Sequence, residues 1–369
     1  MSTNNSTGKS FFSRVKIDDT TLILTSILCI AICILLALTS VYGIVMAILN
    51  PTALIPSPVN PGRPDTGERP FKQNITVNMS YNTEGDDVAT ISGITSKNAV
   101  LVDLTTGKIV GTKLSGNEMK PASMTKVMTL IVVIENLNHE DAMNDMVPVT
   151  SEHVRLKSER EMSGYLGNKD YPAGNYSVKT LLHHLILDSS GVAALALADY
   201  IAGSEAAFVK LMNEKATEME LQHTNFVTCD GTDKGYHHST AKDIAKIMAY
   251  AMKNTHCASF LSVHSYTDEE NRPIIYHKPL VHNFFQQNIE YAEYKSKNAV
   301  IKAAKSGWTG DIAGGNSGGC MVTYAKGNNG HEYIVVVAGA TGVEFWMNKD
   351  YAAYNAVKDT IYILDNYVK

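Results

Sequence analysis

Cysteine, tryptophan and net charge are all scarce in this sequence. Five cysteines occur in 369 residues, and two of them, Cys29 and Cys33, sit in an apolar run. The other three, Cys229, Cys257 and Cys320, cannot all pair within one chain, so no disulfide framework holds the fold; three small buried hydrophobes fit better. A formal net charge of −5 provides no basic surface for nucleic acid. Charge is missing altogether from Thr21 to Leu49, and proline gathers between Pro51 and Pro70. No internal repeat is visible. The whole chain, 44% hydrophobic and 19% charged, has ordinary globular composition with room for one large domain or two small ones.

The uncharged run is long enough to cross a bilayer as a helix. It exceeds the apolar region of a cleaved signal peptide, and Ala37 and Gly43 supply small residues without a clear cleavage pattern, so a retained anchor fits better. Lys9, Arg14 and Lys16 precede the run, and no Lys or Arg follows it before Arg63. The positive-inside rule therefore puts residues 1–20 in the cytoplasm and everything after residue 50 outside. The expected division is a cytoplasmic tail (1–20), a transmembrane helix (21–49), a stiff Pro-rich extracellular linker (50–87) and a folded domain (88–369).

Within that domain, Asn98–Leu104 and Ile109-Val110 meet at a Gly-containing turn and predict a hairpin. Gly318–Ala325 and Glu332–Ala338 flank Gly-Asn-Asn-Gly and predict a second. Between them, residues 124–137, 178–187, 191–202, 204–219 and 240–253 carry apolar side chains at three- and four-residue spacing, which predicts helices. A closing helix follows over 348–367, with Ala352, Ala356, Ile361 and Leu364 available for burial. Strands at both ends of a helical middle predict an α+β fold: one antiparallel sheet drawn from distant parts of the chain, an inserted helical subdomain, and a cleft between the layers.

Ser123 and Lys126 stand one turn apart where Pro121-Ala122 gives way to the apolar run Val127–Ile134. A serine hydroxyl is a poor nucleophile until a base takes its proton, and a lysine three residues on shares its helix face. Ser-x-x-Lys recurs at Ser6/Lys9, Ser13/Lys16 and Ser239/Lys242, so context must choose. The first two lie in the polar tail, and the third places Lys242 beside an acid. Only Ser123 opens an apolar helix, whose free N–H groups face developing negative charge. Two further segments fit the same chemistry. Lys305-Ser306-Gly307 is the chain's one Lys-[Ser/Thr]-Gly and leads toward the first strand of the second hairpin; such a lysine can hold a carboxylate while glycine admits a substrate backbone. Ser189 sits in Asp188-Ser189-Ser190-Gly191, a break between two helices.

Taken together these segments resemble the serine D-alanyl-D-alanine carboxypeptidases, low-molecular-mass penicillin-binding proteins that share the serine β-lactamase fold. The resemblance runs from about Asn98 to the end of the chain and includes Asn98–Lys108, Pro121–Lys126, Ala194–Gly203 and His238–Asp243. It implies Ser123 as nucleophile, Lys126 as its base with a pKa lowered by burial and by Lys305, and Ser189 as proton relay to the leaving amine. Lys305 and Ser306, beside Gly307, would bind the substrate carboxylate, and the backbone N–H groups of Ser123 and Trp308 would form an oxyanion hole. The implied substrate is a peptidoglycan stem peptide ending in D-Ala-D-Ala, with β-lactams as covalent inhibitors and no cofactor. Relatives often carry a C-terminal amphipathic anchor; here the N-terminal span is expected to do the anchoring.

One position departs from the family pattern. Its second motif reads Ser-x-Asn, and this chain has Gly191 where the asparagine amide would stand. Ser115-Gly116-Asn117 precedes the nucleophile and Ser296-Lys297-Asn298 lies too close to Lys305, so neither replaces it. The departure leaves open a non-catalytic or weakly active penicillin-binding scaffold. A β-lactamase would need a carboxylate to position a deacylating water, and none is assignable. His183, His184, His237, His238, His277 and His282 show no metal-ligand spacing, so no metal is expected.

Overall fold

The computed structural model describes residues 67–80, 87–160, 162–163, 166–263, 265–275, 296–309, 318–341 and 349–369. The expected tail, the membrane-spanning helix and the first part of the linker lie outside these residues.

The chain begins its first layer with β1 (Ala89–Thr90), β2 (Asn98–Asp103) and β3 (Lys108–Lys113), then enters a 3-10 turn at Ala122–Met124 that runs into α1 (Thr125–Asn136). The helical part continues through β4 (Met146–Val149), α2 (Ser151–Glu159), β5 (Gly174–Ser177), α3 (Val178–Leu187), α4 (Gly191–Ala202), α5 (Glu205–Glu218), α6 (Ala241–Lys253) and α7 (Thr255–Leu261). The hairpin strands β6 (Ser265–Thr267) and β7 (Pro273–Ile275) precede β8 (Ala299–Thr309), β9 (Gly318–Gly327), β10 (Glu332–Ala340) and α8 (Lys349–Tyr367).

One six-stranded sheet, in the order β1-β3-β2-β10-β9-β8, joins both ends of the domain. All its pairs are antiparallel except the short β1–β3. The side-chain period of two divides the sheet between two cores. Val100, Val102, Val322, Ile334 and Val336 join the helical subdomain, whereas Ala99, Leu101, Met321, Val335 and Val337 face α8 with Ala356, Ile361 and Leu364. Helix α6 packs on the first face and α8 on the second.

Both expected hairpins and the helical middle are present. The Lys305 segment, expected at a strand edge leading into the second hairpin, forms a full strand of its own, β8, paired with β9 at the edge of the sheet. Helix α1 is rich in β-branched residues that lower helix propensity, yet everything from Thr125 to Glu135 is buried. Five helices, α3 to α7, surround it; burial of each large apolar side chain, about 1.5–3 kcal/mol, outweighs the propensity deficit.

The linker also departs from expectation at its C-terminal end. Phe71 and Met79 are buried, and Ile75 and Val77 pack against the same core. Apolar residues at 71, 75, 77 and 79 share one face of an extended chain. That face lies along the domain, pinned by Ser80 N–H to Gly107 O (2.8 Å) and Lys253 Nζ to Thr76 O (2.8 Å). Residues 71–80 therefore belong to the folded domain.

Candidate active site

Ser123 lies in the 3-10 turn, one residue after a strained position: Ala122 has φ +46°, a left-handed conformation costing a side chain roughly 1–2 kcal/mol. Two glycines allow the turn to be held from both sides. A Cβ on Gly307 of β8 would lie 2.8 Å from Ser123 N, and one on Gly231 would overlap the Ala122 carbonyl oxygen. Strained backbone kept in place by close packing is a common feature of reactive sites.

The Lys126 amine donates to Ser123 Oγ at 3.0 Å and to the Asp230 carbonyl at 2.5 Å. Lys126 is only 1% exposed. Burial holds its pKa below the ordinary lysine value, against the opposing negative charges of Asp230 and Asp188. A lowered pKa leaves more of the neutral amine that a general base must be. Burial acts as expected, whereas the repulsion between the two lysines is felt at Lys305 and not at Lys126.

Lys305 reaches the cleft because β8 contains a bulge. Ile301 pairs with Ala325 and Ala303 with Tyr324, so Lys302 is an extra residue. Before the bulge, Ala299 and Ile301 face the α8 core; after it, Ala303 faces the helical core. Lys305, two residues further on, inherits that side; without the bulge it would project to the other. Its amine donates to Ser189 Oγ at 2.9 Å and to the Ser306 carbonyl at 2.8 Å. Burial and the nearby Lys126 charge both push its pKa well below the usual lysine value.

Ser189 also sits in left-handed backbone, φ +57°, in the turn between α3 and α4. Ser190 N–H donates to the His184 carbonyl (2.9 Å), and Ser190 Oγ caps α4 by accepting from Ala193 N–H (3.1 Å). The structure thus forms two Ser–Lys pairs, half-buried Ser123 with buried Lys126 and buried Ser189 with buried Lys305, from three segments far apart in sequence. Ser306 pairs with Met321, a residue of the α8-side core, so its side chain starts from the face opposite Lys305. Trp308 is 39% exposed near the end of β8.

Gly191 opens α4 with no room for a side chain. A Cβ there would lie 2.6 Å from Met162 Cβ and 2.7 Å from its sulfur. Gly191 N–H donates to Ser163 O (3.0 Å), and Ser163 Oγ to Ser189 O (2.8 Å). The segment 162–163 thus occupies the space an asparagine side chain would need.

Sequence reasoning missed the loop around Asp230 and Gly231, which receives Lys126 and backs onto Ala122. The Asp-Gly pair was the available signal, since it marks a tight turn. Cys320 was read as a plain hydrophobe; it lies beneath the site, its thiol donating to Pro121 O (3.5 Å), with burial pushing its pKa up to about 12. Cys229, Cys257 and Cys320 are all free and buried.

Comparison with known proteins gives consistent results. The sequence pattern of the family described as D-alanyl-D-alanine carboxypeptidase matches residues 85–342. The D-alanyl-D-alanine carboxypeptidase DacF of Bacillus subtilis is 30% identical over 257 residues, covering 68% of this chain and 59% of the relative. DacD of Escherichia coli is 35% identical over 150 residues, 40% of this chain and 38% of the relative. The chain thus spans less than two thirds of the length of these relatives. Among solved structures, a peptidoglycan synthesis regulatory factor (PBP3) from Streptococcus pneumoniae superposes with a TM-score of 0.59 at 23% identity, covering 74% of this chain and 71% of that one. Penicillin binding protein 5 from Haemophilus influenzae gives 0.58 at 24% identity, with coverage of 73% and 72%. These two share the fold.

Proposed function

Because the chain belongs to the D-alanyl-D-alanine carboxypeptidase family, we propose that it is a serine carboxypeptidase that removes the terminal D-alanine of peptidoglycan stem peptides. The observation that carries this reading is the 3.0 Å contact between the buried Lys126 amine and Ser123 Oγ. Ser123 Oγ attacks the carbonyl between the two D-alanines as its proton passes to Lys126. The tetrahedral oxyanion is received by the main-chain N–H groups of Ser123 and Trp308. Collapse breaks the peptide bond, and the proton held on Lys126 reaches the departing amine through Ser189, which takes up one proton as it gives one. The acyl group stays on Ser123 until water hydrolyses the ester.

Lys305 takes the substrate's terminal carboxylate at the Lys305–Gly307 edge. An arriving carboxylate favours the charged form of Lys305, and that charge disfavours a second one on Lys126. Binding and a neutral base are coupled in the productive direction. β-Lactams are bound as covalent inhibitors of the same serine. Residues 21–49 anchor the chain in the cell membrane, with residues 1–20 cytoplasmic and the domain outside.

Incubation of the purified chain with a peptide ending in D-Ala-D-Ala is expected to release D-alanine, and Ser123→Ala to abolish release. A folded wild type that releases none would overturn the carboxypeptidase reading. A second reading, a penicillin-binding scaffold with little turnover, is supported by Gly191, where Met162 fills the place of a polar side chain. Covalent penicillin labelling without D-alanine release would favour it.

A further inference from the structure

Beyond the two Ser–Lys pairs, the buried imidazole of His237 ties together the elements that hold Lys126. His237 is 3% exposed, with its ring edge toward Phe226. Its Nδ1 lies 3.1 Å from Val227 N and 3.4 Å from Thr228 N, and its Nε2 lies 3.0 Å from Thr125 Oγ1. Two backbone N–H groups aimed at Nδ1 require that nitrogen to accept. The ring proton therefore sits on Nε2, which donates to Thr125. Thr125 is the first residue of α1, between Ser123 and Lys126, and is fully buried.

The loop that begins at Val227 is the one that holds the base. Asp230 O accepts from Lys126 Nζ at 2.5 Å, and Cys229 O accepts from Thr129 Oγ1 at 2.5 Å. Asp230 closes its own turn through Thr232 N–H (3.1 Å) and Thr232 Oγ1 (2.6 Å). Gly231 abuts the Ala122 carbonyl. Along α1, Lys126 and Thr129 grip this loop directly, and His237 joins the loop's first two amides to Thr125 at the start of the helix.

We propose that His237 is a positioning residue: a neutral imidazole that braces the 227–231 loop against the nucleophile helix and so fixes Lys126 Nζ against Ser123 Oγ. It touches no reacting atom. Charged and titratable neighbours of the ring are Asp230, Asp233, His238 and Glu205. The role rests on the acyl-enzyme reading of Ser123 given above.

The test uses the full chain in detergent and a chromogenic cephalosporin, separating noncovalent binding from the acylation rate constant. His237→Phe keeps ring volume but has no donor or acceptor; it is expected to slow acylation on the order of tenfold with binding within about twofold. His237→Gln, which can both accept and donate, is expected to restore most of the rate. Thr125→Val should reproduce the His237→Phe loss, and the double variant should be no slower than either single. A folded His237→Phe that acylates at the wild-type rate, or losses that multiply in the double variant, would overturn the brace. Thr125→Val keeps the test intact if His237→Phe fails to fold. A wild type that never acylates would instead refute the acyl-enzyme reading. In that case imidazole 15N signals at neutral pH decide the brace alone: protonated Nε2 and bare Nδ1 are expected, and the opposite tautomer or a charged ring would contradict it.

Discussion

Lys126 and Lys305 are two cations that ordinary rules would keep at the surface, yet they are 1% and 2% exposed. Each is satisfied by a serine hydroxyl and a main-chain carbonyl: Ser123 and Asp230 for one, Ser189 and Ser306 for the other. The sequence showed Ser123 and Lys126 as a pair because three residues make one helical turn. It could not show that Ser189 meets Lys305, since 116 positions separate them. His237 and His183 illustrate burial acting on a different group, each held down to about 4 from an ordinary value near 6.5. Such a histidine refuses in the folded state a proton that the unfolded chain accepts. Stability is therefore full above pH 6.5 and falls as pH drops from 6.5 toward 4. His237→Gln is expected to lose one of these steps, up to ~3 kcal/mol, so its urea midpoint should fall less than wild type between pH 7 and pH 4.5. An equal fall in both would mean His237 titrates normally.

Among the elements, α1 and β8 carry the chemistry, and they were legible to different degrees. The apolar run after Lys126 gave α1 nearly to the residue, because its whole surface is buried. Strand β8 was read only as an approach to a hairpin: polar Lys305, Ser306 and the small Gly307 break the alternation that marks strands. Its bulge at Lys302 was invisible, since a single extra residue leaves no trace in composition. Yet the bulge decides the side on which Lys305 projects. With Ala299 and Ile301 anchored in the α8 core, deletion of Lys302 removes the extra residue and makes Ile301 and Ala303 direct neighbours, their pairing to Ala325 and Tyr324 intact. Lys305 is therefore expected to keep its side, and penicillin acylation to stay within about threefold of wild type. A loss on the order of 100-fold with the circular dichroism spectrum retained would show that the local twist of the bulge, and not the residue count, aims Lys305.

At the scale of the molecule, strands from both ends of the domain form one sheet between two cores, and the helical subdomain brings Ser189 against Lys305 of β8. This architecture was legible because hydrophobic period switches from two to about 3.6 and back along the chain. Residues 71–80 were not, because the proline-rich stretch before them suggested a free spacer, while their two-residue apolar spacing, the true signal, spans only one short segment. In the sequence Gly191 reads as a simple loss of the motif amide; in the structure Met162 fills the space a side chain at 191 would need. The claim on which the whole account depends is that Ser123 is the group acylated. Intact-mass and peptide-level mass spectrometry after incubation with benzylpenicillin tests it most directly. The expected result is one adduct of the antibiotic's mass on the peptide containing Ser123, absent from Ser123→Ala; an unmodified Ser123, or an adduct on another residue, would contradict the account.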